Sequence, residues 1–292
     1  MAAADTTCSC PCCGSEKLRP EPLSMEGFFA CAGCGLIFAS PERRECFVQK
    51  LSGHYGQEDP HRDVARSKQA FFSRALDRLG MLGAGARLLD VGCGYGYFLE
   101  MAAGRGFVPF GVDIVEQAVA AAREKPGVAG AFCGDLAEAG FMPESFDAVT
   151  LWDVLMVSPD PARLLACVKE LLRPGGVLAV RDRNAAFQTA LCRAYRVFRV
   201  PAGLLGVKNP SVFHPFTFTA ASLRSLLGGA GFVEVVAENS PLTRSDPYSV
   251  SRLPGLADAA KAAANLFARA TYALSGGRRV AGPSLLCWAR KP

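Results

Sequence analysis

Three carboxylates sit where a β-strand gives way to a loop: Asp90, Asp113 and Asp135. Asp90 is followed by Gly92, Gly94 and Gly96, immediately before a stretch with helical spacing. Glycines there let the backbone turn tightly and approach a ligand with no Cβ in the way. Asp113 stands at the distance where doubly wound folds place an acceptor for ribose hydroxyls, and Asp135 offers a further acceptor beside the same crevice. The bland alternative is that all three are helix N-caps. The dinucleotide fingerprint G-x-G-x-x-G leaves a helix N-terminus open to pyrophosphate. Here an acid precedes the first glycine by two residues, which repels pyrophosphate and suits a cationic amino-acid end.

A second constellation is Cys10-Pro-Cys-Cys13-Gly and Cys31-Ala-Gly-Cys34-Gly, two C-x-x-C-G units separated by 17 residues. Each glycine permits the turn whose N–H groups face thiolates, so Cys10, Cys13, Cys31 and Cys34 are the expected ligands of one structural Zn²⁺. A redox pair or free thiols are the alternatives. Cys8 and Cys12 lack the following glycine.

Steps of strand and helix must position these groups. Apolar positions Val64, Phe71, Phe72, Leu76 and Leu79 recur at mostly helical spacing over 62–82. Strands follow at Arg87–Val91, Val108–Val112, Ala129–Cys133, Phe146–Trp152 and Val177–Val180, with helices at Tyr97–Ala103, Val115–Glu124 and Pro161–Leu172 between them. That alternation predicts a parallel sheet covered on both faces. Beyond it, Ala185–Phe198, Thr219–Gly228 and Leu256–Leu274 read as helices, and Phe232–Ala237 and Leu285–Ala289 as strands.

These segments resemble the class I S-adenosylmethionine-dependent methyltransferases over about residues 62–237. LLDVGCGYG resembles their first motif, FGVDI the second, FCGDL the third, FDAVTLWDVL the fourth and LLRPGGVLAV the turn into the fifth strand. The resemblance implies an α/β, Rossmann-like, doubly wound seven-stranded sheet, with Leu285–Ala289 antiparallel beside the fifth strand. It implies S-adenosylmethionine as cofactor. Asp90, Gly92 and Gly94 would hold the methionine end, with Cys93 and Gly96 in the same loop. Asp113 and Ile114 would lie at the ribose, Asp135 and Leu136 at the adenine, and Trp152 would close the pocket wall. Tyr55 resembles a residue that folds over the cofactor in relatives. The Cys-Gly-Leu-Ile-Phe tail resembles N-terminal zinc ribbons on methyltransferases of sugar and natural-product pathways. The expected division is a ribbon at 1–45, a linker and lead-in helix at 46–82, and a methyltransferase domain at 83–292 with helical cap segments 183–230 and 241–284.

Methyl transfer is an in-line displacement, so an enzyme mainly aligns the acceptor and supplies a base where a proton must leave. His214 is one candidate, in the segment that caps the acceptor; the alternative is a hydrogen-bonded histidine fixing that cap. Asp153 is the other, near the transferred methyl or as a helix cap. Many relatives carry Glu-His after the fourth strand, where this chain has Met156 and Val157. That departure weighs against a catechol or quinone O-methyltransferase of the ubiquinone-pathway type.

The 292 residues carry a net charge of +5, far below a dedicated nucleic-acid coat. Half are hydrophobic, which excludes wholesale disorder. Positive charge gathers between Leu171 and Phe213, with Arg173, Arg181, Arg183, Arg193, Arg196, Arg199 and Lys208 against Asp182 alone. The start MAAADTTCSC has neither a cationic nor an apolar signal region, and no apolar run reaches about 18 residues, so a cytoplasmic setting with reduced cysteines is expected. Two apolar helical stripes, Phe187, Leu191, Tyr195, Phe198 and Leu256, Ala260, Ala263, Phe267, Ala270, Leu274, suggest packing over the substrate pocket or a dimer seam. A peripheral membrane contact and nucleic-acid binding are the alternatives. The expected activity is methyl transfer to a small-molecule, glycan or lipid-linked acceptor. A ribosomal-RNA base methyltransferase and a non-catalytic S-adenosylmethionine-binding protein are the other readings.

Overall fold

The computed structural model describes residues 9–20, 27–44, 47, 61–198, 213–240 and 254–292. Tyr55, Arg199 and Lys208 lie outside them, as do the side chains of Val64, Leu256 and Ala260. A small N-terminal sheet starts with β1 (Leu18–Pro20), β2 (Phe28–Cys31) and β3 (Ile37–Ala39). Helix α1 (His61–Leu79) and a single 3-10 turn lead into the main sheet. There β4 (Arg87–Val91), α2 (Tyr97–Ala103), β5 (Val108–Asp113), α3 (Glu116–Arg123), β6 (Gly130–Cys133), β7 (Phe146–Trp152), α4 (Pro161–Leu171) and β8 (Leu172–Arg183) alternate. After them come α5 (Ala185–Val197), β9 (Phe216–Thr217), α6 (Ala220–Gly229), β10 (Val233–Asn239), α7 (Pro254–Leu274) and β11 (Ser284–Arg290).

Seven strands pair in the order β10-β11-β8-β7-β4-β5-β6, and β11 runs antiparallel to both neighbours. The expected antiparallel insertion beside the fifth strand of the series is therefore present, with Cys287 opposite Val180. Successive strand residues feed opposite cores, as a pleated sheet covered on both faces requires. Leu88, Ala148, Trp152, Ala179 and Trp288 pack with Phe71, Phe72, Ala75, Leu76 and Leu79 of α1. Leu89, Val149, Leu151, Val180 and Cys287 face Val168 of α4 and Leu223 and Leu227 of α6. Arg78 fastens the far end of α1, pairing with Glu238 at 3.0 Å and lying 4.3 Å from the centre of the Trp288 ring.

Chain order reverses between β4, which turns to β5, and β7, which turns to β8. Ligands of open α/β sheets sit at the carboxyl ends of the strands beside such a reversal.

Two features differ from the sequence expectation. The small sheet takes its fourth strand, β9, from residues 216–217, with Phe38 opposite Phe216. Cys10, Cys31, Cys34, Leu36 and Phe38 consequently join the same apolar core as α4 and α6. The stripe on α7 does not turn inward: Phe267 is 67% exposed and Leu274 90%, while Ala268 on the opposite side is buried. On α5 the buried face is Ala185, Gln188 and Cys192, and Phe198 is exposed. On α5, Phe187, Leu191 and Tyr195 are half-buried beside that face.

Candidate active site

Beyond β4 the backbone passes through Gly92 at φ +73° and Gly94 at φ +51°. A Cβ on Gly92 would lie 2.5 Å from Val154 Cγ2, whereas one on Gly94 would meet nothing within 4 Å. Gly92 is therefore required for packing, and Gly94 leaves room for a ligand against the backbone. The loop is stitched to the end of β5: Gly94 N–H donates to Asp113 Oδ2 at 2.8 Å and Val115 N–H to Oδ1 at 3.1 Å. Cys93 lies buried beneath the loop, its sulfur against Gly111.

Asp90 is 2% exposed and accepts from Thr150 Oγ1 at 2.6 Å. Burial, reinforced by the nearby Asp113 charge, pushes its pKa up to about 8 against the opposing pull of the Thr150 bond and Lys68. Among the described residues no cation is paired with this carboxyl, and an ammonium group would supply one. Because the folded pKa is raised, the penalty of folding around Asp90 grows as pH rises from the unfolded value of about 4 to about 8. Asp90→Asn keeps the Thr150 bond and is expected to raise the melting temperature more at pH 8 than at pH 5. It should weaken S-adenosylmethionine binding, measured by calorimetry; a stability gain equal at the two pH values would contradict the assignment.

At the next strand end Asp135 is exposed and its Oδ1 accepts from Ala137 N–H at 2.9 Å, capping a 3-10 turn that buries Leu136. Ile114, 57% exposed, and Phe132 present apolar surface at the ends of β5 and β6. Trp152 is buried behind the loop rather than open to the crevice, edge-on to Phe71 at 5.0 Å and Phe98 at 5.3 Å. Its role is thus in the wall under α1.

Asp153, one residue on, holds φ +64°, a conformation uncommon outside glycine. Lys68 Nζ donates to its Oδ2 at 2.6 Å, and Arg181 Nη1 lies 2.5 Å from both oxygens. Despite burial, these two cations hold its carboxyl far below the usual carboxylate range. Shared between them, Asp153 anchors the two cations. Arg181 is tied further to Ser240 Oγ at 3.0 Å and Ser284 Oγ at 3.3 Å, and its guanidinium faces the Phe71 ring. Met156 N–H reaches Asp182 Oδ1 at 3.4 Å, while Asp182 Oδ2 has no partner among the described atoms. Burial and the Asp153 charge push Asp182 well above the usual range.

His214 is not hydrogen-bonded through its ring: Nδ1 and Nε2 are both buried and without a partner among the described atoms. The ring meets Phe47 edge-on at 5.7 Å. Burial, with the Arg183 charge adding and Asp153 opposing, lowers its pKa to about 4. The imidazole is neutral near pH 7, so a lone pair is available. Sequence reading did not single out Lys68, Arg181 or Arg183 as site residues; the signal was the run of arginines in an otherwise apolar strand.

A family model described as a methyltransferase domain matches residues 61–238. The chain belongs to that family. The chain resembles the ubiquinone biosynthesis O-methyltransferase of Pseudomonas aeruginosa, 39% identical over 115 residues, which are 37% of this chain and 49% of the relative. The protein of the same name from Xylella fastidiosa is 36% identical over 165 residues, 53% of this chain and 65% of the relative. The chain thus spans about half the length of the first curated relatives it matches. Among solved structures, an S-adenosylmethionine-dependent methyltransferase of Thermotoga maritima matches with a TM-score of 0.51 at 18% identity, covering 85% of this chain and all of that one. A chain of a Haloferax volcanii complex between a methyltransferase activator and a methyltransferase gives 0.52 at 18%, covering 80% and 95%. At that identity these neighbours speak for the fold, the class I methyltransferase sheet that the motifs implied.

In the N-terminal sheet region the sulfurs of Cys10, Cys13, Cys31 and Cys34 all lie within 4.8 Å of one another. Cys10 and Cys34 are 3.6 Å apart, as are Cys13 and Cys31. A tetrahedral zinc with Zn–S of about 2.3 Å needs sulfurs about 3.8 Å apart, so the donor set fits. Gly33 N–H points at Cys31 Sγ from 3.3 Å and Cys34 N–H from 3.5 Å. Against the upward push of burial, these amides and the neighbouring thiols bring Cys31 down to about 7. The cluster is wired to α6: Thr219 Oγ1 donates to Cys34 O at 2.6 Å while accepting from Ser222 N–H as the helix cap, and Ser225 Oγ donates to Cys12 O at 3.1 Å. No helix among the described residues is long and apolar enough to cross a membrane.

Proposed function

We propose that this chain is an S-adenosylmethionine-dependent methyltransferase acting on a small-molecule, glycan or lipid-linked acceptor, with a structural zinc in its N-terminal ribbon. The single observation that supports this most is the junction at Gly94, where an open glycine backbone, buried Asp90 and Asp113 meet at the reversal of the sheet.

S-adenosylmethionine supplies an electrophilic methyl carbon on a sulfonium. Asp90 and the 92–96 loop would receive the amino-acid end. Asp113 would turn its remaining lone pairs to the ribose hydroxyls, and Asp135, Leu136 and Ile114 would frame the adenine. Tyr55 keeps its proposed place over the cofactor. The neutral His214 imidazole would take the proton from an acceptor hydroxyl as the new oxygen–methyl bond forms and the sulfur–methyl bond breaks. The ribbon at 1–45, the linker and helix at 46–82 and the domain at 83–292 remain the working division.

Asp113→Ala removes the acceptors for two ribose hydroxyls and for the Gly94 amide. Hydrogen bonds to charged groups contribute about 1.5–3 kcal/mol each, so calorimetry should show S-adenosylmethionine affinity falling by about 10–100-fold. Unchanged affinity would sink the ribose assignment. Feeding radiolabelled methyl donor to cell extract with the protein, and asking whether label enters the lipid, sugar or RNA fraction, identifies the acceptor class. Label in RNA would overturn it.

A further inference from the structure

Among the described residues, charge beside β8 and α1 is unbalanced. Arg181 and Arg183 sit two residues apart on β8 and so share a face of the sheet, the face on which Arg181 meets Phe71 of α1. Lys68 reaches the same place from α1. Asp153 is the carboxylate shared by Lys68 and Arg181. The Arg183 side chain, half-buried, has no hydrogen bond or ion pair among the described residues, and Asp182 between the two arginines belongs to the opposite face. The segment after His214 bridges to the end of β8 at Asn184–Phe218, the Arg183 charge acts on the His214 ring, and both ring nitrogens are buried with no partner among the described atoms.

An excess of cations partly removed from water is unfavourable until an anion arrives. On the methyltransferase reading above, we propose that the acceptor carries an anionic oxygen group, a carboxylate or a phosphate, received by Arg183 beside His214. Guanidinium donors form a planar fork matched to such groups. The anion has a second effect. Burial is the largest cause of the lowered His214 pKa, with Arg183 adding and Asp153 opposing, so an anion that offsets Arg183 raises the imidazole pKa from about 4 and makes the ring a stronger base. Only an acceptor bearing the anion would then switch on its own base.

The test uses full-length protein with S-adenosylhomocysteine bound, titrated with inorganic phosphate and, separately, benzoate at constant ionic strength. The chain has three histidines, so imidazole NMR signals are few, and His214→Gln assigns the one of interest. The expected result is a rise of about one pH unit or more in the His214 midpoint with one or both anions. Arg183→Gln should weaken anion binding by about tenfold or more. Arg183→Lys should retain part of it, and Arg193→Gln, exposed on α5, should change nothing. Preference for phosphate or benzoate tells a phosphorylated acceptor from a carboxylated one. The inference is overturned if neither anion moves the His214 signal, or if Arg183→Gln binds both as well as the native chain does. S-adenosylhomocysteine affinity separates the two readings: if it binds and the anions do not, only the anion site fails, and if it does not bind, the methyltransferase reading fails as well.

Discussion

Asp153→Asn is expected to destabilise the protein by about 3–5 kcal/mol, because it leaves Lys68 and Arg181 without the carboxylate they share in a partly dry site. The Arg181 side chain is 8% exposed and those of Asp153 and Lys68 are 16% and 19%, so water can replace little of the lost attraction. Urea denaturation of the two proteins measures it. Asp182→Asn is the matched control: burial and the Asp153 charge disfavour the ionised carboxyl there, and Asn preserves the acceptor for Met156 N–H, so a loss below about 1 kcal/mol is expected. The sign of the pH dependence follows from the lowered Asp153 pKa. Its contribution is fully present above the unfolded value of about 4 and fades as pH falls below that towards the folded value. The deficit of Asp153→Asn should therefore shrink in acid. A deficit that stays constant from pH 7 to pH 3 would show that the ion pairs contribute nothing.

Removing the proposed zinc should have the larger effect on turnover. A structural zinc contributes about 10 kcal/mol or more to folding its own knuckles. Here those knuckles hold β3 against β9 and place Cys34 O on the Thr219 hydroxyl that caps α6. His214 lies directly ahead of that strand, and its N–H donates to Thr217 Oγ1 at 3.2 Å. Stripping the metal with a strong chelator, or Cys31→Ser, should accelerate amide exchange over 214–219 and abolish methyl transfer. S-adenosylmethionine affinity should change little, because Asp90, Gly94 and Asp113 belong to the central strands. Full transfer activity in metal-free protein would refute this coupling. Elemental analysis of the native protein should return one zinc per chain.

The two experiments address the two ways in which this site was legible. Period and glycine placement announced the β4–α2 turn, and the observed bounds of α2 and β7 are those the pattern predicts, because local sterics and alternation decide such segments. The four cysteines were legible for the same reason, since each C-x-x-C-G turn is a local geometry. Position alone makes Asp153 a candidate. What it does depends on Lys68, 85 residues earlier, and Arg181, 28 residues later. No spacing rule links those three.

By itself the sequence determined the order of strands and helices, the cofactor loop and the cysteine turns, each carried by a few neighbouring residues. Only the tertiary structure decided that the ribbon closes with Phe216 and Thr217, nearly two hundred residues beyond its last cysteine. Only there does the apolar stripe of α7 face outward. The reason is physical: an amphipathic period says that a helix has two faces, while which face is covered depends on the close approach of partners. Charge behaves likewise. The loop at Gly92–Gly96 is local, but the cations opposite it converge from distant segments, and their balance exists only once the chain has folded.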